Sequence, residues 1–295
     1  MATALLSSPP SGADAALDRV RDVLRGMESV LVCFSGGVDS AFVLAVAHEV
    51  LGDRAIGMTA VSPSLAPEEK KLALEVARQI GARHELVESH EIDDESYLAN
   101  NSDRCFHCKS ELYRLSAVKK VEWGLRHVVN GTNLDDLGDY RPGLQAAKEA
   151  GAESPLVLAK MNKADIRRAA ELMGLSVWDK PAAACLSSRI PYGTRVTRER
   201  LAQIAALEEE LHAMGLRQVR VRWHALGGDA RGDVREGAMA RIEVGQPELA
   251  RAFELRDAIV SAGKKNGYAY VTLDLAGYRV GSHNELLRGK SLRVV

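Results

Sequence analysis

Apolar positions along this chain come in alternating blocks of two kinds. Short solid runs (Val30 to Phe34, Arg54 to Val61, His84 to Val87, His127 to Asn130) read as strands, the first buried on both faces as in a parallel sheet. Between them lie stretches with helical spacing. One runs from Ser40 to Leu51, with Phe42, Val43, Val46 and Val50 on the repeat and Gly52 as its stop. Another opens at Pro67-Glu68-Glu69 and ends before Gly81. Further helices are predicted over Asp18 to Met27, Ser110 to Val121 and Lys163 to Leu172. Strands alternating with helices predict an α/β fold built on a parallel sheet.

The rhythm changes past Gly193. A long helix is predicted over Thr197 to Met214, then an alternating strand over Gln218 to Trp223 and a second over Met239 to Val244. A helix over Pro247 to Gly263 and a strand over Tyr268 to Leu275 complete a smaller α+β domain. The expected organisation is a leader over 1–17, an α/β domain over 18–193 and a C-terminal α+β domain over 194–295, with the second serving substrate or self-assembly.

Composition narrows the function classes. Apolar residues at 46% and charged residues at 27% are ordinary for a soluble globular chain. The net charge of −1 offers no general attraction to nucleic acid or an anionic membrane. No apolar run reaches the ~18 residues of a membrane span, and Met1 to Ala16 lacks the pattern of a secretory signal, so a cytoplasmic location is expected.

The most informative stretch is Ser35-Gly36-Gly37-Val38-Asp39-Ser40, where the first strand breaks on two glycines and a helix begins. A helix N-terminus aims N–H groups and its dipole at such a turn, making an anion site. Glycines let backbone close on phosphate, Ser35 and Ser40 add hydroxyls, and Asp39 can hold magnesium between phosphate oxygens. No Gly-Lys-Ser/Thr closes the loop, so this is not the Walker pattern. It resembles the PP-loop signature of the ATP pyrophosphatases, which cleave ATP between the α and β phosphates and adenylate a substrate. By the strand-end rule for open α/β sheets, Ala60 to Ser62 would lie near adenine, and Gly131-Thr132-Asn133 with Asp135 and Asp136 forms a second polar turn on the ligand side. That turn resembles the second nucleotide-contact segment of PP-loop enzymes. Arg141 in Asp139-Tyr140-Arg141-Pro142-Gly143 is a candidate clamp for substrate or phosphate.

Four cysteines in a chain of this kind do not make a disulfide framework. Cys33 falls inside the first strand as a small apolar filler. Cys105 and Cys108 form a C-x₂-C unit, with Cys185 far along the chain. Three readings stay open: zinc, which wants four ligands; a redox pair at a helix start; and three thiolates on an iron–sulfur cluster with one iron open.

Taken together, the Ser35–Ser40 loop, Asp139-Tyr140-Arg141-Pro142-Gly143-Leu144 and Cys185-Leu186-Ser187-Ser188-Arg189-Ile190-Pro191-Tyr192-Gly193 resemble the ATP-dependent sulfur transferases of nickel-pincer nucleotide synthesis, the LarE family. The resemblance runs from about residue 18 to the C-terminus. It implies a PP-loop, Rossmann-like domain with a smaller α+β domain. ATP and Mg²⁺ would adenylate a carboxylate of pyridinium-3,5-biscarboxylic acid mononucleotide, and sulfur would displace AMP to leave a thiocarboxylate. ATP would be held by Ser35, Gly36, Gly37, Asp39, Ser40, Ala60, Gly131 and Asp135. Cys185, Asp39 and Ser188 would carry the chemistry, with cationic Arg189 lowering the pKa of the thiol.

The family has two styles. In one, a single cysteine near Cys185 gives up its sulfur; in the other, three cysteines bind a 4Fe–4S cluster carrying an extra sulfide. Cys105, Cys108 and Cys185 point to the cluster style. Arg220 and Arg222, two apart on a strand and so on one face, would join Arg189 and Ser188 around the nucleotide phosphate. Glu243 is a weaker candidate for the same site. The resemblance also implies a homo-oligomer and a downstream nickel-inserting protein.

A tRNA thiolase of the same superfamily is the nearest rival; near-neutral charge and the lack of zinc-ribbon C-x₂-C pairs stand against a tRNA partner. An amide-forming synthetase would explain the loop but not the cysteines. A nucleotide sensor without chemistry would not need an intact loop with Asp39.

Overall fold

The computed structural model describes residues 12–138, 142–181, 183–227 and 237–279. These fall into two compact units, each taken by itself. The first comprises 1–61, 69–89 and 105–183; the second comprises 62–68, 90–104 and 184–295.

In the first unit α1 (Gly12–Met27) leads into β1 (Val30–Cys33), every residue of which is buried. After the glycine turn comes α2 (Val38–Leu51), then β2 (Ala55–Val61), α3 (Pro67–Ile80) and β3 (Arg83–Glu88). The short α4 (Glu95–Leu98), which belongs to the second unit, precedes α5 (Arg104–Glu122), which is followed by β4 (His127–Val129), α6 (Pro142–Glu149), α7 (Pro155–Leu158) and α8 (Lys163–Leu172). All strands of this sheet are parallel, in the order β3-β2-β1-β4. Helix α2 is apolar almost all round, with Phe42, Val43, Leu44 and Val46 fully buried, because it packs both on the sheet and against α1 and α8. The strand order reverses between β1 and β4. Ligands of open α/β sheets bind outside the carboxyl ends of strands at such a point.

Helix α5 begins six residues before the predicted start at Ser110. Its first turns mix Arg104, His107 and Lys109 with Cys105, Phe106 and Cys108 in no clear period, which hides the helical repeat from a hydrophobic pattern. Cys105 and Cys108 therefore lie on a helical turn and share a face at i and i+3.

The second unit carries α9 (Arg198–Ala213), capped by the Thr197 side chain, with β5 (Val219–Ala225), β6 (Ala238–Val244), α10 (Leu249–Glu254), α11 (Arg256–Lys265) and β7 (Tyr268–Leu273). Its sheet has the order β5-β6-β7, antiparallel then parallel. Val219, Val221 and Trp223 are buried, and β5 packs on α9. The helix predicted over Pro247 to Gly263 is split at Leu255, which lets both Ala252 and Ile259 turn inward. Among the described residues, no helix is long and apolar enough to cross a membrane.

Candidate active site

The glycine turn after β1 is built as its sequence requires. Gly36 sits at φ +71°, and a Cβ there would stand 2.9 Å from the Ala73 Cα, so both conformation and space demand glycine. Gly37 is the N-cap of α2 and has no side chain to satisfy the first-turn N–H groups. The Ser35 and Ser40 hydroxyls lie 3.1 Å apart, and Ser40 Oγ donates to the Gly37 carbonyl at 3.1 Å. Together these form a cradle of donors at a helix N-terminus, suited to a phosphate chain.

The polar turn after β4 meets this cradle. A Cβ on Gly131 would lie 2.8 Å from the Ser40 backbone nitrogen and 3.0 Å from Asp39, so the two turns touch backbone to backbone. The Asn133 amide donates to Asp39 Oδ1 at 3.3 Å. Asp136 accepts from the Asn133 N–H at 3.1 Å, and Asp135 accepts from the Lys163 N–H at 2.8 Å. The Lys163 ammonium at the start of α8 forms an ion pair with Asp39 Oδ2. Lys163 is the site residue that sequence reasoning missed; the Met-Asn-Lys-Ala-Asp stretch carries no signature beyond a helix start. Ala60 is placed at the end of β2, paired with Val87. Arg141 lies outside the described residues. A Cβ on Gly143, nearby in sequence, would stand 3.0 Å from Lys109 Cγ.

Behind the cradle, Thr59 Oγ1 donates to the Phe34 carbonyl at 2.7 Å and lies 2.8 Å from His84 Nε2. With its own proton committed, Thr59 can only accept from His84, which fixes the ring as the Nε2–H tautomer. Burial lowers the His84 pKa and keeps the ring neutral.

In the second unit, Cys185 heads a 3₁₀ turn, Leu186–Arg189. Cys185 is exposed, whereas Leu186, Ser187 and Arg189 are buried. The Ser188 hydroxyl donates to the Cys185 carbonyl at 2.8 Å. Arg189, read from sequence as a cation beside the thiol, is 3% exposed; its guanidinium donates to Glu208 at 2.9 and 3.1 Å and to the carbonyls of Ala184 and Cys185 at 2.6 and 3.0 Å. It grips the turn's backbone from inside, with its charge balanced by Glu208. Arg222 donates to the Ser188 carbonyl at 2.9 Å and to Glu243 at 2.8 Å. Glu243, fully buried, also receives Arg241 at 3.0 Å. Arg220 lies 5.2 Å from the Tyr278 ring. Burial first, then the neighbouring Arg189, press the Arg220 pKa downward.

Cys33 is buried with its sulfur 3.4 Å from Ser116 Oγ, and burial pushes its thiol pKa up. Cys105 is exposed and Cys108 half-buried. These two lie in the first unit and Cys185 in the second. Among the described residues, no group of three or more His, Cys, Asp or Glu side chains stands ready to hold a metal ion.

The parallel sheet, the S-G-G-x-D-S turn and the uncapped helix behind it define a PP-loop ATP-using enzyme. The asparagine synthase family model matches residues 13–103, the part that contains this turn. Pyridinium-3,5-bisthiocarboxylic acid mononucleotide synthase of Lactiplantibacillus plantarum is 35% identical over 266 residues, 90% of this chain and 92% of that protein. An uncharacterized protein of Synechocystis sp. is 42% identical over 275 residues, 92% of this chain and 97% of its own length. An uncharacterized protein of Methanocaldococcus jannaschii is 25% identical over 252 residues, 85% of this chain and 91% of its own. The chain belongs to the LarE family and is an ATP-using sulfurtransferase.

Proposed function

We propose that this enzyme activates a carboxylate of pyridinium-3,5-biscarboxylic acid mononucleotide with ATP and exchanges one of its oxygens for sulfur, in nickel-pincer cofactor synthesis. The carboxylate oxygen attacks the α-phosphorus, the α–β bridging bond breaks, and pyrophosphate leaves. A sulfur nucleophile then attacks the acyl carbon, the bond to the adenylate oxygen breaks, and AMP leaves with that electron pair. A carboxylate is a poor electrophile until its oxygen belongs to such a leaving group, which is why the chemistry needs ATP.

The carrying observation is the meeting of Asp39, Asn133 and Lys163 beside the uncapped start of α2. Magnesium usually keeps several waters and takes one or two carboxylates plus substrate phosphates, and the oxygens of Asp39 suit that role. Lys163 would serve phosphate oxygens once triphosphate is bound, and Asp39 is the carboxylate that would hold magnesium. Arg220 and Arg222, with Ser188, hold the nucleotide's own phosphate. Cys105, Cys108 and Cys185 would hold a 4Fe–4S cluster, whose open iron would supply a labile sulfide. Thiolate donors suit iron, and two of them share one helical face. The C-terminal domain, 194–295, serves the substrate.

The test is incubation with ATP, magnesium and the biscarboxylated nucleotide after anaerobic iron–sulfur reconstitution. The expected result is pyrophosphate, AMP and a nucleotide in which sulfur has replaced oxygen. Pyrophosphate release with unmodified tRNA and not with this nucleotide would make the enzyme a tRNA thiolase. A mass loss of one H₂S at Cys185 after a turnover would make that cysteine the sacrificial donor.

A further inference from the structure

The turn that carries Cys185 is held by a segment far earlier in the chain. Residues 90–104 pack within the second unit, and the side chains of Tyr97, Asn100 and Arg104 reach residues 187–194. Tyr97 Oη lies 2.5 Å from Ser187 Oγ, both groups buried. Arg104, 3% exposed, donates to the Ser187 carbonyl at 2.8 Å and to Asn100 Oδ1 at 2.5 Å. The fully buried Asn100 amide donates to the carbonyls of Pro191 and Thr194 at 2.8 and 2.9 Å. Backbone bonds close the seam, from the Gly193 N–H to the Asn100 carbonyl at 3.0 Å and from the Val196 N–H to the Leu98 carbonyl at 2.9 Å.

Asn100 itself sits at φ +54°, in the left-handed region. Asparagine tolerates that conformation better than most residues, yet such a backbone persists only where its surroundings fix it. A buried, strained asparagine and a buried arginine are therefore both committed to one irregular turn. The turn displays Cys185 to solvent and buries the residues after it. The arrangement fixes the position of an exposed sulfur without touching it.

We infer that Tyr97, Asn100 and Arg104 are positioning residues for the sulfur-transfer step, resting on the function proposed above. They act through Ser187 to Thr194 and set where the Cys185 thiolate stands, and with it the sulfide that the proposed cluster would present. Their bonds to Ser187, Pro191 and Thr194 run into the cysteine turn, so sulfur transfer rather than adenylation should depend on them. Misplacing a reacting group by about 1 Å can cost on the order of a hundredfold in rate.

The experiment compares Tyr97→Phe, Arg104→Lys and Asn100→Gly in the full chain. Tyr97→Phe removes only a hydroxyl, and Asn100→Gly relieves the left-handed backbone while deleting the side-chain bonds. Two half-reactions are followed separately, single-turnover pyrophosphate release and thiocarboxylate formation. The rate of maleimide alkylation of Cys185 is read from its tryptic peptide in the enzyme before iron–sulfur reconstitution, with Cys105 as internal reference. Pyrophosphate release is expected to stay within about twofold while sulfur transfer falls roughly tenfold or more. Alkylation of Cys185 is expected to change several-fold relative to Cys105. Proportional loss of both half-reactions, or an unchanged alkylation ratio, would overturn the inference. If Asn100→Gly or Arg104→Lys does not fold, Tyr97→Phe decides alone. Absence of pyrophosphate from the unsubstituted enzyme would strike the functional reading, while the alkylation ratio would still judge the three residues.

Discussion

Asp39 and Lys163 stand 124 positions apart in sequence, and the Lys163 ammonium rests on the Asp39 carboxylate at the mouth of the PP-loop. Each opens a helix, Asp39 in the first turn of α2 and Lys163 at the start of α8, and the Asn133 amide holds the free side of the carboxylate. The pair keeps an anion neutral in a cradle designed for anions. Lys163→Gln should remove a charge-assisted bond to phosphate of about 1.5–3 kcal/mol, weakening ATP binding roughly ten- to a hundredfold by calorimetry. Asp39→Asn should abolish magnesium-dependent turnover with an unchanged far-ultraviolet dichroism spectrum.

Gly131 joins the two turns, and any side chain there drives into the backbone of Asp39 and Ser40. Gly131→Ala should weaken ATP binding by at least about tenfold, since backbone atoms must move apart by several tenths of an ångström. Gly26 provides the control. It lies within α1 with open space where a Cβ would go, and Gly26→Ala should raise stability by about 0.5–1 kcal/mol without affecting nucleotide binding.

His84 makes stability depend on pH. Its pKa is lowered in the fold, so below the ordinary value of about 6.5 the unfolded chain takes up a proton that the folded chain resists. The contribution is fully present above that pH and is lost as pH falls toward the lowered folded value. Melting temperatures should therefore drop on acidification below pH ~6.5, and drop less in His84→Gln, whose amide can still donate to Thr59. Equal slopes for the two proteins would assign the pH dependence to other groups.

Arg189 and Glu208 are both buried, at 3% and 8% side-chain exposure, and Glu208 also accepts from the Val221 N–H at 2.8 Å. Glu208→Ala leaves a guanidinium and an amide buried without their acceptor, a loss of about 3–5 kcal/mol. Glu208→Gln keeps an oxygen for Val221 and should cost less. Denaturant midpoints of the two variants against the unsubstituted chain check the order.

Much of the site was legible because its chemistry is local. A strand, two glycines and a helix start are neighbours in sequence, so Ser35 to Ser40 could be read as a phosphate cradle and Gly131 to Asp136 as its partner turn. The roles of the arginines were harder to read. Arg189 and Arg222 each bind a carboxylate, Glu208 or Glu243, and these come from α9 and β6. A sequence pattern shows that a charge is present, not which distant group neutralises it.

The sequence by itself determined the alternation of strands and helices, the parallel sheet and the glycine turn that opens α2, because hydrophobic period and turn chemistry act over a few residues. Tertiary structure alone decided that Lys163 answers Asp39, that α5 starts at Arg104, and that residues 97–104 hold the Cys185 turn. Those outcomes depend on burying polar groups with a partner supplied from far along the chain. Which partner arrives is settled by packing, and no local pattern records it.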